Sequence, residues 1–247
     1  MLMLVIKSNI LSRFPKILFG FSTKVGLNRV PPYNFNLSHS VGDDHNTVEE
    51  NRRCFFGSFG LDNKILAFQK QTHSDIITHV SKSGNVGESD ALITDKPNLG
   101  LVISAADCVP VFMYDEENRV IAGVHSGWRG TEKEILTKTL RKLKSDFNTQ
   151  PENLYVYVGP SISQKNYEVG PEVADLFDDQ YLEDKHNGKF LLNVSAVNYD
   201  MLTSFGVPDN QIQLSNLCTY DNRKLLHSYR REGQRSGRSL GVIAITE

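Results

Sequence analysis

Between residues 91 and 125 four strand-length apolar runs follow one another: ALIT (91–94), LVISAA (101–106), VPVFMY (109–114) and VIAGVH (120–125). Runs this short, rich in β-branched and aromatic residues and separated by Asp, Asn and Gly, read as strands. Because they are apolar on consecutive positions, they read as strands covered on both faces. ILFGF (17–21), KILAF (64–68), DIITHV (75–80), LYVYVG (154–159) and GVIAIT (241–246) extend the pattern along the chain.

Helical patterns are fewer. In TEKEILTKTLRKLKSDF the apolar positions Leu136, Leu140, Leu143 and Phe147 fall on one stripe, and Thr131 with Glu134 has capping-box spacing, so a helix is expected directly after Gly130. Further helices are expected over about 46–56, opened by Asn46 and Glu49, and over about 171–177 and 194–205. Strands outnumber helices without strictly alternating with them. The expected class is therefore α/β in its α+β form, packed mixed β-sheets flanked by helices. No linker-like segment divides the 247 residues, which favours a single catalytic domain over 1–247.

With 27 basic and 29 acidic residues the formal net charge is −2, and no long cationic run is present, which argues against nucleic acid as a partner. Cys54, Cys108 and Cys218 are widely spaced and odd in number. A disulfide scaffold does not fit, and a reducing compartment does. The N-terminus has no signal-peptide pattern and no apolar span long enough for a membrane occurs, so a cytoplasmic setting is expected.

Three junctions could carry chemistry. In IAGVHSGWRGTEKEIL (121–136) a strand ends at His125, turns through Gly127 and Gly130, and enters a helix, whose N-terminal N–H groups together with Arg129 would face an anion. The plain alternative is a strand–helix turn in which Trp128 plugs the core and Arg129 is solvated. In LVISAADCVPVFMY, Asp107-Cys108 interrupts two buried strands, where the cysteine is either a soft ligand or nucleophile or a small apolar filler. In AFQKQTHSDIITHV, Gln71 and His73 sit at the mouth of a strand, and His79 reads as packing or surface. His73, Cys108 and His125 together would make a three-donor Zn²⁺ site with one open position. Their separations match no local zinc motif, so spacing alone does not show a metal. Near the C-terminus Arg230, Arg231, Arg235 and Arg238 surround Gly233 and Gly237, as a phosphate-holding loop or a wet surface. GPSISQKNYEVG (159–170) adds a Gly-Pro turn and Glu168.

Nine pieces in order, FSTKVGLN, YNFNLSHSVGDD with NRR, QTHSD, DALIT, SAADCVPV, GVHSGWRGT, GPSISQKNYEVG, NLCTY and HSYRREGQRSGR, resemble the YfiH-like family. Its members were described as multicopper polyphenol oxidases or laccases and are associated with purine nucleoside phosphorylase activity. The resemblance implies packed sheets flanked by helices, similar to the cysteine-hydrolase-like deamidase toxins. It also implies a metal site at His73, Cys108 and His125 holding Zn²⁺ or Cu²⁺, the same three residues being catalytic. Arg52 would contact phosphate and Asn36 would lie near the substrate, with Arg129 and Arg230 as further candidate phosphate contacts. The implied partners are purine nucleosides and phosphate, with no nucleic acid and no membrane, in a monomer or homodimer. The implied reactions are phosphorolysis of adenosine, inosine and 5′-methylthioadenosine and deamination of adenosine, the latter needing a hydroxide that a three-ligand Zn²⁺ generates by lowering the pKa of water to about 7. Three other readings stay open: a copper-dependent polyphenol oxidase, an amidohydrolase with Cys108 as nucleophile and His125 as base, and a metal- or nucleoside-binding protein without turnover.

Overall fold

The computed structural model describes residues 3–246. Its first half carries β1 (Val5–Ile6), β2 (Ile17–Ser22), α1 (His45–Gly57), β3 (Leu66–Lys70), β4 (Ile77–His79), β5 (Gly84–Glu88), β6 (Ala91–Thr94), β7 (Gly100–Ala105), β8 (Val109–Asp115) and β9 (Val120–Ser126). There follow α2 (Trp128–Glu132), α3 (Ile135–Phe147), β10 (Leu154–Val158), β11 (Glu168–Val169), α4 (Pro171–Ala174), β12 (Leu182–Asp184) and β13 (Phe190–Leu192). The chain closes with α5 (Val194–Phe205), β14 (Ile212–Leu214), α6 (Tyr229–Glu232) and β15 (Ser239–Ile245).

Two six-stranded sheets dominate, in the orders β1-β2-β15-β7-β3-β5 and β14-β10-β8-β9-β6-β4, and β11, β13 and β12 form a small third sheet. Most pairs are antiparallel, but β3 runs parallel to β5 and β7, β4 to β6, and β10 to β14, so both large sheets are mixed as expected. The β8–β9 hairpin pairs Val109 with Ser126 through to Asp115 with Val120. Its turn is held by the Asp115 carboxylate, which accepts from the Glu117 and Asn118 backbone N–H groups.

The two sheets face each other. Phe19, Leu101, Ile103 and Ile243 of the first meet Phe112, Tyr114, Ile121 and Tyr157 of the second in one buried cluster. On the outer side of the second sheet, Val109, Val111 and Met113 pack with Ile135, Leu136, Leu140 and Leu143 of α3 and with Val194 and Leu202 of α5. On the outer side of the first, Val102, Leu240 and Val242 pack with Phe55 and Phe56 of α1. The layers thus run helix, sheet, sheet, helix. That is why all seven positions of β8, β9 and β15 are buried, and why their sequences show no polar alternation. Between the sheets Phe112 lies on Gly241: a Cβ there would come within 2.2 Å of the ring.

The helix reading around residue 131 needs correcting. Thr131 lies inside α2, its hydroxyl paired with the Ser126 hydroxyl at 2.8 Å, and Glu134 is a left-handed residue (φ 57°) that separates α2 from α3. The tertiary contacts of Thr131, which include the Asn198 side chain at 3.2 Å, outweigh the local cap. Likewise α1 is opened by Asp44, whose carboxylate accepts from the Thr47 N–H, and not by Asn46. The helix expected over 171–177 is the single turn α4, whereas α5 matches its expected limits and is capped by the Asn193 side chain. KILAF opens as a 3₁₀ turn and becomes strand only from Leu66. The short strands β1, β11, β12, β13 and β14 carry too few residues for a periodic signal, and β5 (GNVGE), exposed at four of its five positions, has no apolar run.

Phe112 also meets Phe19 edge-on, with ring centroids 5.0 Å apart. Replacing Phe112 by Ala is expected to lower unfolding free energy by about 3–5 kcal/mol, read as a lower urea midpoint at unchanged slope.

Candidate active site

The β7–β8 connection crosses from one sheet to the other, and Cys108 sits in it. Beside it lie the end of β9, which carries His125, and the loop after β3, which carries His73. These three are drawn together by a residue the sequence reading did not single out. Asp90, fully buried just before β6, accepts hydrogen bonds from Thr72 N (3.1 Å), His73 N (3.2 Å), Ser74 N (2.7 Å) and Ser74 Oγ (2.6 Å). The same carboxylate holds His125 Nδ1 at 2.8 Å, and the Asp90 carbonyl accepts from His125 N. Burial works against the charge on Asp90, but the His125 and Ser74 hydrogen bonds prevail and hold its carboxyl at about 2. The only sequence signal for this role was its place in DALIT.

Wrapping residues 72–74 around one carboxylate puts His73 in the left-handed region (φ 58°), and Asp107, preceding Cys108, is at φ 98°. Two strained residues flanking one site are typical of positions held by their surroundings. Cys108 Sγ lies 3.8 Å from His73 Nε2, and the two imidazole rings meet edge to face with centroids 5.0 Å apart. One donor atom from each of His73, Cys108 and His125 lies within 4.8 Å of the others. Gly127 leaves the space: a Cβ there would fall 2.8 Å from Cys108 Sγ and 3.0 Å from His73 Cδ2. Burial pushes the Cys108 thiol up, but His125 and then His73 outweigh it and bring it down to about 6. For His125, burial is again the opposing effect, and the Cys108 sulfur and Asp90 raise it. With Nδ1 committed to Asp90, His125 has Nε2 to offer. A thiolate and two oriented imidazoles fit a Zn²⁺-type ion, and the carboxylate behind His125 is the usual outer support for such a ligand.

The donors open into a cleft of about 570 Å³, within the range of small-molecule sites. Trp128, Tyr167 and Tyr229 give it aromatic walls, and Arg129, Arg230 and Arg238 give it positive charge. Arg129 stacks on Trp128 at 4.3 Å and Arg230 on Tyr167 at 4.9 Å. Because α2 is a single five-residue piece, the anion-facing character expected of its start rests on these side chains more than on a helix dipole. Of the other C-terminal arginines, Arg231 is spent on the carbonyls of Thr219, Tyr220 and Leu226, and Arg235 lies outside the cleft wall. Asp107 ties this arm to the site through Thr219 Oγ1 and Arg230 N, each at 2.6 Å.

Asn36 and Arg52 are not brought to the cleft wall. Asn36 is fully buried and braces Ser38, Asp43 and the Arg238 backbone. Arg52 donates to the Leu37 carbonyl at 2.7 Å and lies over Phe68. Gln71 is clamped on Ser104 by two 2.8 Å hydrogen bonds, whereas the neighbouring cleft residue Gln69, absent from the sequence reading, has both amide atoms buried and unpartnered. His79 stays at the surface beside Asp95, and Glu168 pairs with Lys185.

Residues 18–246 match the family model described as multi-copper polyphenol oxidoreductase laccase. A Haemophilus influenzae protein named purine nucleoside phosphorylase is 33% identical over 241 residues, covering 93% of this chain and 95% of its own length. A Clostridium acetobutylicum protein of the same name is 36% identical over 215 residues, covering 85% and 86%. The crystal structure of Bacillus licheniformis hypothetical protein YfiH superposes with a TM-score of 0.90 at 29% identity, covering 94% of each chain.

Two measurements probe this architecture. Asp90→Asn leaves His125 without its carboxylate and sets an amide N–H₂ against the loop donors, so a loss of about 3–5 kcal/mol in denaturant unfolding is expected. His227 is fully buried near Glu232, Lys24 and Arg238, and burial brings its pKa down to about 3. The unfolded chain, with an imidazole near 6.5, then binds the extra proton. Stability is therefore full above pH 7 and falls by about 1.4 kcal/mol per unit as pH drops from 6.5 towards 3. Urea midpoints at pH 7 and pH 5 should differ less in His227→Phe than in the wild type.

Proposed function

The chain belongs to the YfiH-like family, whose model is described as multi-copper polyphenol oxidoreductase laccase, and from that premise we propose that it is a metal-dependent purine nucleoside phosphorylase. It acts on adenosine, inosine and 5′-methylthioadenosine, and deaminates adenosine at the same site. The reading is carried by one juxtaposition: a thiolate and two imidazoles open into the cleft that Arg129, Arg230 and Arg238 line.

Phosphorolysis forms a bond from a phosphate oxygen to the pentose C1′ and breaks the bond from C1′ to the purine N9, the electron pair leaving with the base, which takes up a proton. The arginines bind and orient the phosphate dianion, Arg230 being fixed by its donation to the Glu168 carbonyl at 2.7 Å. Trp128, Tyr167 and Tyr229 exclude water and offer faces for the purine. Zn²⁺ held by His73, Cys108 and His125 would supply Lewis acidity for polarising phosphate or base. Asp90 keeps His125 oriented and its Nε2 free for that role.

The succession Cys108, His125, Asp90 favours a second reading, since it is also the order of nucleophile, base and orienting acid in a cysteine amidohydrolase. A polyphenol oxidase of multicopper type asks for more histidines than His73 and His125, the two that line the cleft among the described residues.

Purified, metal-analysed protein incubated with inosine should yield hypoxanthine and ribose 1-phosphate only when phosphate is present, and adenosine should yield inosine without it. His73→Ala and chelation should each lower kcat/KM for phosphorolysis by about 100-fold or more, whereas Arg230→Ala should mainly raise the KM for phosphate, about tenfold. Hydrolytic activity that survives chelation but not Cys108→Ala would favour the amidohydrolase.

A further inference from the structure

Outside the cleft, a second set of donors converges where the 38–44 loop meets α1. His45 is the first residue of that helix and Glu49 lies one turn on, so both project from one face. His39 comes from the loop: its Nε2 is 2.6 Å from Glu49 Oε1, and its ring stacks on that of His45 with centroids 4.3 Å apart and planes at 16°. One donor atom from each of the three lies within 4.8 Å of the other two. We infer that His39, His45 and Glu49 form a second divalent-metal site, distinct from the Cys108 centre, for a borderline ion of the Zn²⁺, Co²⁺ or Ni²⁺ type.

The donor set decides the class. Two imidazoles and one carboxylate suit Zn²⁺ and its neighbours, whereas Ca²⁺ and Mg²⁺ ask for oxygen ligands alone. Bonds of about 2.0–2.1 Å place neighbouring donors about 3.3–3.5 Å apart, so the group must contract by roughly 1 Å, within reach of small side-chain rotations. His39 and Glu49 are partly open to solvent, with side-chain exposures of 31% and 34%, and have room for them. On binding, the metal replaces the hydrogen bond between His39 Nε2 and Glu49 Oε1.

The backbone beneath is fixed in advance. Asn36 Oδ1 accepts from Ser38 N, Ser38 and Ser40 join their hydroxyls at 2.8 Å, and Asn36 Nδ2 donates to Asp43. Arg52 lies 3.8 Å from the Glu49 carboxylate and helps to orient it. Ser38 and Ser40, the two neighbours of His39, line the catalytic cleft. An ion at His39 therefore ties one wall of the cleft to α1.

The test is titration of metal-free, full-length protein with Co²⁺, following total bound metal by equilibrium dialysis and the thiolate-to-metal charge-transfer band by absorption. The Cys108 centre gives that band; the His39–His45–Glu49 site does not. Wild-type protein should bind one band-silent equivalent that persists in Cys108→Ala. His39→Ala, His45→Ala and Glu49→Gln should each weaken that equivalent at least tenfold while leaving the band in place. Absence of a band-silent equivalent from the wild type, or its retention with unchanged affinity in both histidine variants, overturns the inference.

Discussion

The buried carboxylate of Asp90 is the interaction on which the site depends. Five hydrogen bonds converge on it, four from residues 72–74 and one from His125. A charge this deep would be costly unpaired, and its partners are the groups whose placement the chemistry needs. Without it, the loop after β3 has no reason to hold His73 in a left-handed conformation, and the His125 imidazole could rotate.

That carboxylate works because of where the sheets put it. The site lies at the end of the sandwich where the β7–β8 crossover passes from one sheet to the other, so donors from both sheets reach one point. Phe112 against Gly241 and Phe19 sets how closely the sheets approach. Packing of this kind transmits shape: the separation of the sheets fixes the mouth of the cleft as well as the density of the core.

Charge is divided with similar economy. Arg231 and Arg52 hold loops away from the cleft wall, whereas Arg129, Arg230 and Arg238 line it, the last two also donating to backbone carbonyls. The composition shows a nearly neutral chain, yet Arg129, Arg230 and Arg238 share one cleft. Net charge therefore says little about the local field in the cleft.

Much of this was legible beforehand. Runs such as VPVFMY and VIAGV, apolar on consecutive positions, required strands covered on both sides, and the stripe of Leu136, Leu140 and Leu143 required a helix against them. The resemblance directed attention to His73, Cys108 and His125, which the fold does gather. The capping box at Thr131 misled because its hydroxyl is engaged by Ser126 and by the Asn198 side chain, and no sequence window contains the second contact. Asn36 and Arg52 are polar residues near functional motifs, and only the fold shows that their hydrogen bonds face inward. Gln69 and Gln71, two residues apart, look alike in the sequence; one is clamped on Ser104 and the other has its amide atoms buried without a partner. The sequence by itself determined layers and segments, because burial periodicity is a local property of the chain. Tertiary structure alone decided which donors meet, because Asp90 and His125, or His39 and Glu49, become neighbours only when chain closure brings distant backbone into register.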